Sequence, residues 1–272
     1  MTRSNTHILL EAENLSVSAP SPVGQKLLVC GASFTVGVGE VLIILGESGC
    51  GKTILSRSLT KLLPAGSPLR INGSVVFEGR ELLGLRQAEM ASIRRKKIRY
   101  VFQEPMQSLN PCARIGRQLR LSAEGLGGDD RNLHDALALV GLDAAGDLPD
   151  RYPHELSTGM AQRVCIAMAI LPSPVLLVAD EPTSAVDASQ RRRILDLLVT
   201  IQQSRPMSLV LITHDLDVAE RYGDRIIVMR SGEIVETAPR RAFFDAPVHP
   251  YSRLLVGAHA ALQDRAGRRI DS

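Results

Sequence analysis

The stretch Gly46-Glu47-Ser48-Gly49-Cys50-Gly51-Lys52-Thr53, set between a continuous apolar run and a helical segment, most constrains what this chain can fold into. It fits G-x-x-x-x-G-K-[ST] in the strand–loop–helix context that gives the pattern meaning. Glycines let successive backbone N–H groups turn toward one anion. The helix that follows points its positive end at the same place. Lys52 then reaches β- and γ-phosphates, and the Thr53 hydroxyl offers an oxygen to Mg²⁺. A glycine-rich turn with no ligand is the bland alternative, and it loses because motif and context agree. The loop predicts nucleoside triphosphate binding without saying which kind of NTPase this is. Cys50 sits inside it as a small filler, and the positive surroundings should lower its thiol pKa.

Residues 41–45 (VLIIL) read as a strand buried on both faces of a parallel sheet. Residues 8–18 and 28–36 read as short strands around the turn APSPVG. A helix is predicted from Lys52 to about residue 63, stopped by Pro64. Residues 75–77 and 98–102 are further strand candidates. From 104 to 172 strand runs vanish and helical periodicity takes over, as in RNLHDALALVGL. Strands return at 175–179, 208–212, 225–229 and 233–236, with a helix over SQRRRILDLLVTIQQ between the first two. The order is an α/β core, a helical insert, then α/β core again.

A chain of 272 residues, 44% hydrophobic, can bury a sizeable core. The net charge of +3 gives no global argument for nucleic acid or anionic lipid. With aromatics at 3% and no Trp, base-stacking platforms and aromatic membrane belts are disfavoured. The basic run Arg94-Arg95-Lys96-Lys97 with Arg99, and Arg191-Arg192-Arg193, therefore read as solvated faces. Cys30, Cys50, Cys112 and Cys165 form no C-x-x-C pair, which fits a reducing cytosol. The start MTRSNTHILLEAEN does not read as a signal peptide, and apolar stretches such as 164–171 are far below the ~20 residues that span a bilayer. His249 and His259 lack metal-ligand spacing.

The apolar run at 175–179 ends in Asp180 and Glu181. Asp180 can hold Mg²⁺ through water, and Glu181 can polarise an attacking water. A capping acidic pair is the alternative, and the phosphate loop tips the balance. Gln103, after the strand at 98–102, can contact Mg²⁺ or that water. His214, after the strand at 208–212, can bond a γ-phosphate and hold Glu181 and water in line, although a lone His at a strand end is more often structural.

Together these residues resemble the ATP-binding subunit of ABC transporters over nearly the whole chain. The phosphate loop, the Q-loop Gln103, the signature Leu156-Ser157-Thr158-Gly159-Met160, the pair Asp180-Glu181, the D-loop Ser184-Ala185-Val186-Asp187 and the switch His214 stand in family order. The resemblance implies a P-loop NTPase core of ABC ATPase type with a small antiparallel β subdomain, over 1–103 and 173–272. A helical signature subdomain is inserted over 104–172. It implies ATP and Mg²⁺ as cofactors, with Gly46 to Thr53 on the nucleotide and Thr53, Gln103 and Asp180 on the metal. Glu181, His214 and Gln103 would be catalytic. It implies a head-to-tail dimer with a related or identical ATPase subunit, in which Ser157 and Gly159 act in trans on the partner's nucleotide. Two membrane permeases and an extracytoplasmic binding protein complete the complex, and no nucleic acid is involved. The expected location is peripheral, on the cytoplasmic face of the inner membrane.

The stretch from Val101 to Pro111 (VFQEPMQSLNP), the segment DEPTSAVD and the tail His249-Pro250-Tyr251-Ser252-Arg253-Leu254-Leu255 look like the peptide/nickel importer group. The tail is read as a recognition feature, a final helix packed on the core. The end at Ser272 and the segment Val256-Gly257-Ala258-His259-Ala260-Ala261-Leu262 are similar to the nickel branch, so nickel or metal-chelate uptake is expected. Dipeptide or oligopeptide import is the alternative, and a soluble ABC ATPase a distant one. A P-loop kinase would need no signature, D-loop and switch histidine together. Two departures stand out. Thr158 replaces the usual signature glycine, adding bulk and limiting the backbone. Ala19 falls where the family often stacks an aromatic on adenine.

Overall fold

A computed structural model of the chain describes residues 7–22, 24–64, 66–123, 130–142 and 146–268. The leader reading at residues 1–6 and the chain end at Ser272 lie outside the described residues, as does Val23 of the APSPVG turn. In chain order the strands are β1 (Ile8–Ser21), β2 (Gly24–Gly37), β3 (Val41–Leu45), β4 (Arg70–Phe77), β5 (Arg80–Glu81) and β6 (Ile98–Val101). They continue with β7 (Leu176–Asp180), β8 (Ser208–Thr213), β9 (Arg225–Arg230) and β10 (Glu233–Pro239). The helices begin with α1 (Lys52–Ser58), α2 (Gln87–Lys96), α3 (Pro105–Ser108), α4 (Ile115–Ala123) and α5 (Asp130–Leu139). After them come α6 (Thr158–Ile170), α7 (Ala188–Ser204), α8 (Leu216–Tyr222), α9 (Arg240–Asp245) and α10 (Pro250–Arg268).

These elements form two compact units. The first comprises Ile8–Val36, Glu40–Leu83 and Ile212–Ser272. Its antiparallel layer runs β2-β1-β4-β5. Along β1 the most deeply buried residues are Leu10 and Ala12, then Leu15 and Val17, so the inward phase slips by one residue. The cause is a bulge between Glu13 and Ser16, where Asn14 takes φ 49. An extra residue re-aims every side chain that follows it. The same unit pairs β3 with β9 in parallel and β9 with β10 antiparallel. Every residue of β3 is buried, as a strand covered on both faces requires.

The second unit comprises Met1–His7, Gly37–Gly39 and Gly84–Leu211. Its strands β6 and β7 are parallel, with Ile98 opposite Leu176 and Val101 opposite Ala179, and β8 follows β7. The described residues of 104–172 are helices, short 3-10 turns and loops. Helix α6 buries Ala161, Val164, Ile166, Ala167 and Ile170 on several sides, with α3, α4 and α5 packed around it. An apolar surface that wide marks a buried helix.

Three local expectations give way. β1 runs on through Ala19, Pro20 and Ser21, where a turn was expected. Its pairing with β4 ends at Ser18 opposite Arg70, so Pro20 interrupts no bond to β4. Helix α1 stops at Ser58 rather than near 63. There Lys61 turns left-handed (φ 52), its N–H donating to the Ser58 carbonyl and that of Leu62 to Arg57. This is a Schellman closure built without glycine. Arg99 is also no part of a solvated face: its guanidinium donates to the Ser122 hydroxyl at 2.7 Å and the Met168 carbonyl at 3.0 Å. Burial lowers its pKa, and Arg95 adds to that.

Candidate nucleotide site

The phosphate loop joins β3 to α1 within the first unit. Gly51 precedes α1 with φ 110, and a Cβ there would lie 2.7 Å from the Leu28 carbonyl oxygen. Both facts demand glycine. The back of the loop is tied down by a chain of main-chain bonds. The Gly232 N–H donates to the Cys50 carbonyl, and the Cys30 N–H donates to that of Gly232, each at 2.8 Å. The loop is thus fixed by β2 and by the turn between β9 and β10.

Lys52 is 4% exposed, and its ammonium donates to the carbonyls of Gly46 (2.7 Å) and Glu47 (2.8 Å). The side chain curls back over its own loop, which sets its charge beside the N–H groups of the cradle. Thr53 is half-buried on the first turn of α1, and Glu47, Ser48 and Gly49 are exposed. Glycine-built cradle, cation and hydroxyl together fit a bound polyphosphate, and oxygen donors fit Mg²⁺. His214 belongs to the same unit, exposed, directly after β8.

Cys50 corrects the sequence reading. It is buried, and desolvation pushes its thiol above the ordinary value, outweighing the Lys52 charge that pulls the other way. Burial thus disfavours the thiolate in this loop, against the activated thiol expected.

The second unit carries Gln103, Ser157, Gly159, Asp180 and Glu181. Asp180 closes β7 and is 2% exposed. Glu181 follows in the left-handed region at φ 44, a conformation that costs a side-chain-bearing residue energy. The Ser184 N–H and hydroxyl both donate to the Glu181 carbonyl, which fixes that turn. Gln103 is exposed in the bend between β6 and α3. Ser157 caps α6, its hydroxyl accepting from the Met160 N–H at 3.2 Å. Gly159 is buried, and a Cβ on it would press on the Gln190 carboxamide. Thr158 is the first residue of α6 and keeps right-handed helical backbone, so the loss of glycine's freedom constrains nothing here.

Sequence reasoning gave the tail no part in this site, and the structure assigns it one. The Tyr251 hydroxyl, on α10, donates to Glu47 Oε1 at 3.0 Å. The two histidines stay apart in role. His249 Nδ1 accepts from the Tyr251 N–H, while His259 Nε2 lies 3.0 Å from Glu220 Oε2. Among the described residues, Asp217, Glu220 and His259 bring potential ligand atoms within 4.8 Å of one another. The Gln263 amide donates to both carboxylates, making the group a polar clasp between α8 and α10.

The ABC transporter family matches residues 29–184. The chain is 38% identical over 263 residues to the oligopeptide transport ATP-binding protein OppD of Bacillus subtilis, covering 94% of this chain and 73% of that one. It is 39% identical over 255 residues to the dipeptide transport ATP-binding protein DppD of the same organism, with 92% and 76% covered. Among solved structures, the ATP-binding cassette MJ0796, dimeric and bound to ADP and Pi, superposes with a TM-score of 0.74 at 26% identity, over 85% of this chain and 99% of that one. The fold is that of an ABC ATPase cassette. The chain belongs to the ABC transporter family, in its peptide/nickel importer group, as an ATPase coupled to transport.

Proposed function

We propose that this chain energises peptide import, as one of two ATPase subunits beneath a pair of membrane permeases. The observation that carries the reading is its likeness to the oligopeptide and dipeptide ATP-binding proteins over more than nine-tenths of its length. Those relatives favour peptides over the nickel or metal-chelate cargo expected from segment 256–262. No helix among the described residues is long and apolar enough to cross a membrane, which is consistent with peripheral attachment at the cytoplasmic face.

The residue roles follow from donor chemistry and family order. Gly46 to Thr53 cradle the phosphates of ATP, with Lys52 as the cation. Thr53, Asp180 and Gln103 supply the oxygen donors that Mg²⁺ takes. Glu181 polarises the attacking water, and His214 and Gln103 align it with the γ-phosphate. Ser157 and Gly159 serve the nucleotide of the second ATPase subunit. Residues 104–172 form the signature subdomain between the two stretches of ATPase core.

Paired uptake of a labelled dipeptide and radioactive nickel tests the cargo. Cells lacking the gene should lose dipeptide uptake and keep nickel uptake, and wild type but not Lys52→Ala should restore it. Loss of nickel uptake alone would reverse the assignment. Loss of neither would remove the chain from both importers.

A further inference from the structure

Tyr251 is 6% exposed, and both its ring and the chain around it are held in place. The Arg230 guanidinium lies over it, 4.8 Å from the centroid. Its own N–H donates to His249 Nδ1. The chain just before α10 is pinned to β10 by one carboxylate: Glu236 accepts from the N–H groups of Val248 (3.0 Å) and His249 (2.8 Å). Burial opposes the charge on Glu236, yet these donors hold its carboxyl below the ordinary value. The anchored ring delivers one hydroxyl, to Glu47, the second residue of the phosphate loop.

Glu47 places a carboxylate at the edge of a cradle built for anions. Its backbone carbonyl already holds the Lys52 ammonium. An untethered carboxylate there would compete with phosphate for that ammonium and for the loop's N–H groups, and would repel the incoming charge. We propose that Tyr251 is a positioning residue for the phosphate loop, holding the Glu47 side chain aside so that Lys52 and the N–H cradle stay available to the triphosphate. The inference rests on the ATP-binding reading of the loop. Burial and the Glu47 carboxylate push the Tyr251 hydroxyl up to about 12, so it remains a donor throughout the neutral range.

The test is MgATP binding by calorimetry to the purified full chain, in a double-mutant cycle. Tyr251→Phe keeps the ring and its packing. It should weaken MgATP about tenfold, as expected for a lost hydrogen bond to a charged group. In a Glu47→Gln background the same change should cost less than about twofold, and high salt should shrink the wild-type loss. Binding within twofold of wild type, or an equal loss in both backgrounds, would overturn the proposal. Should Tyr251→Phe not fold, Arg230→Gln decides: it removes the guanidinium over the ring and leaves the loop residues unchanged, so a loss of MgATP affinity beyond twofold supports the inference and binding within twofold of wild type refutes it. A wild-type chain that binds no MgATP would overturn the phosphate-loop reading itself, a result distinct from an insensitive Tyr251→Phe.

Discussion

The Cys50 thiol lies two residues before Lys52, yet its surroundings move its pKa up. A nearby cation favours thiolate, but desolvation charges the anion more than Lys52 returns. Cys165 makes the comparison, since burial alone carries it to about 12. Cys112 is exposed. Alkylation at neutral pH should therefore label Cys112 first and Cys50 much more slowly, with Cys165 last. Raising the pH should speed the Cys50 reaction, and MgATP should protect it. Mass spectrometry after timed iodoacetamide exposure reads this order directly, and Cys50 labelling as fast as Cys112 would contradict the burial argument. Glu181 carries another local tension, a side chain in left-handed backbone next to a buried aspartate. Such strain persists only where the surroundings over-determine it, here through the two Ser184 bonds to its carbonyl.

Helix α1 has seven residues, too few to be stable alone, so packing must hold it. Leu55 is its fully buried apolar anchor. Leu55→Ala should cost about 2–5 kcal/mol in urea unfolding. A loss under about 1 kcal/mol would mean the closure at Lys61 and the loop's main-chain bonds fix the helix instead. Elements announced by their own residues were legible in the sequence: the apolar runs of β3 and β7, the glycines and Lys52 of the loop, and the strandless stretch before β7. Elements decided by a single unusual backbone angle were not. Lys61 ends α1 and Asn14 bulges β1, and neither residue type advertises a left-handed turn as glycine does. Thr158 was legible as a departure, but whether it matters depends on its helical backbone, which no residue pattern states. The Tyr251–Glu47 bond joins residues 204 apart, so the His-Pro-Tyr segment could be noticed without its partner being found.

At the scale of the whole molecule, the role proposed for the signature residues requires a second subunit. Ser157 caps α6 at an exposed position, where the proposed pairing would set it against another chain's nucleotide. The solved cassette that this fold resembles is itself dimeric. If ATP is shared across a head-to-tail pair, closure should outlast binding whenever hydrolysis is blocked. Glu181→Gln should keep MgATP affinity, lose at least about 10²-fold in turnover, and trap that pair. Light scattering after gel filtration should then show twice the monomer mass with MgATP and the monomer without it. Adding Ser157→Arg should abolish the doubled mass while leaving MgATP binding intact, because the arginine obstructs only the partner's nucleotide. Doubling that appears only when a related cassette is supplied would identify a heterologous pair. A Glu181→Gln chain that stays monomeric with MgATP, alone and with that cassette, would remove the shared-nucleotide arrangement and with it the role in trans of Ser157 and Gly159.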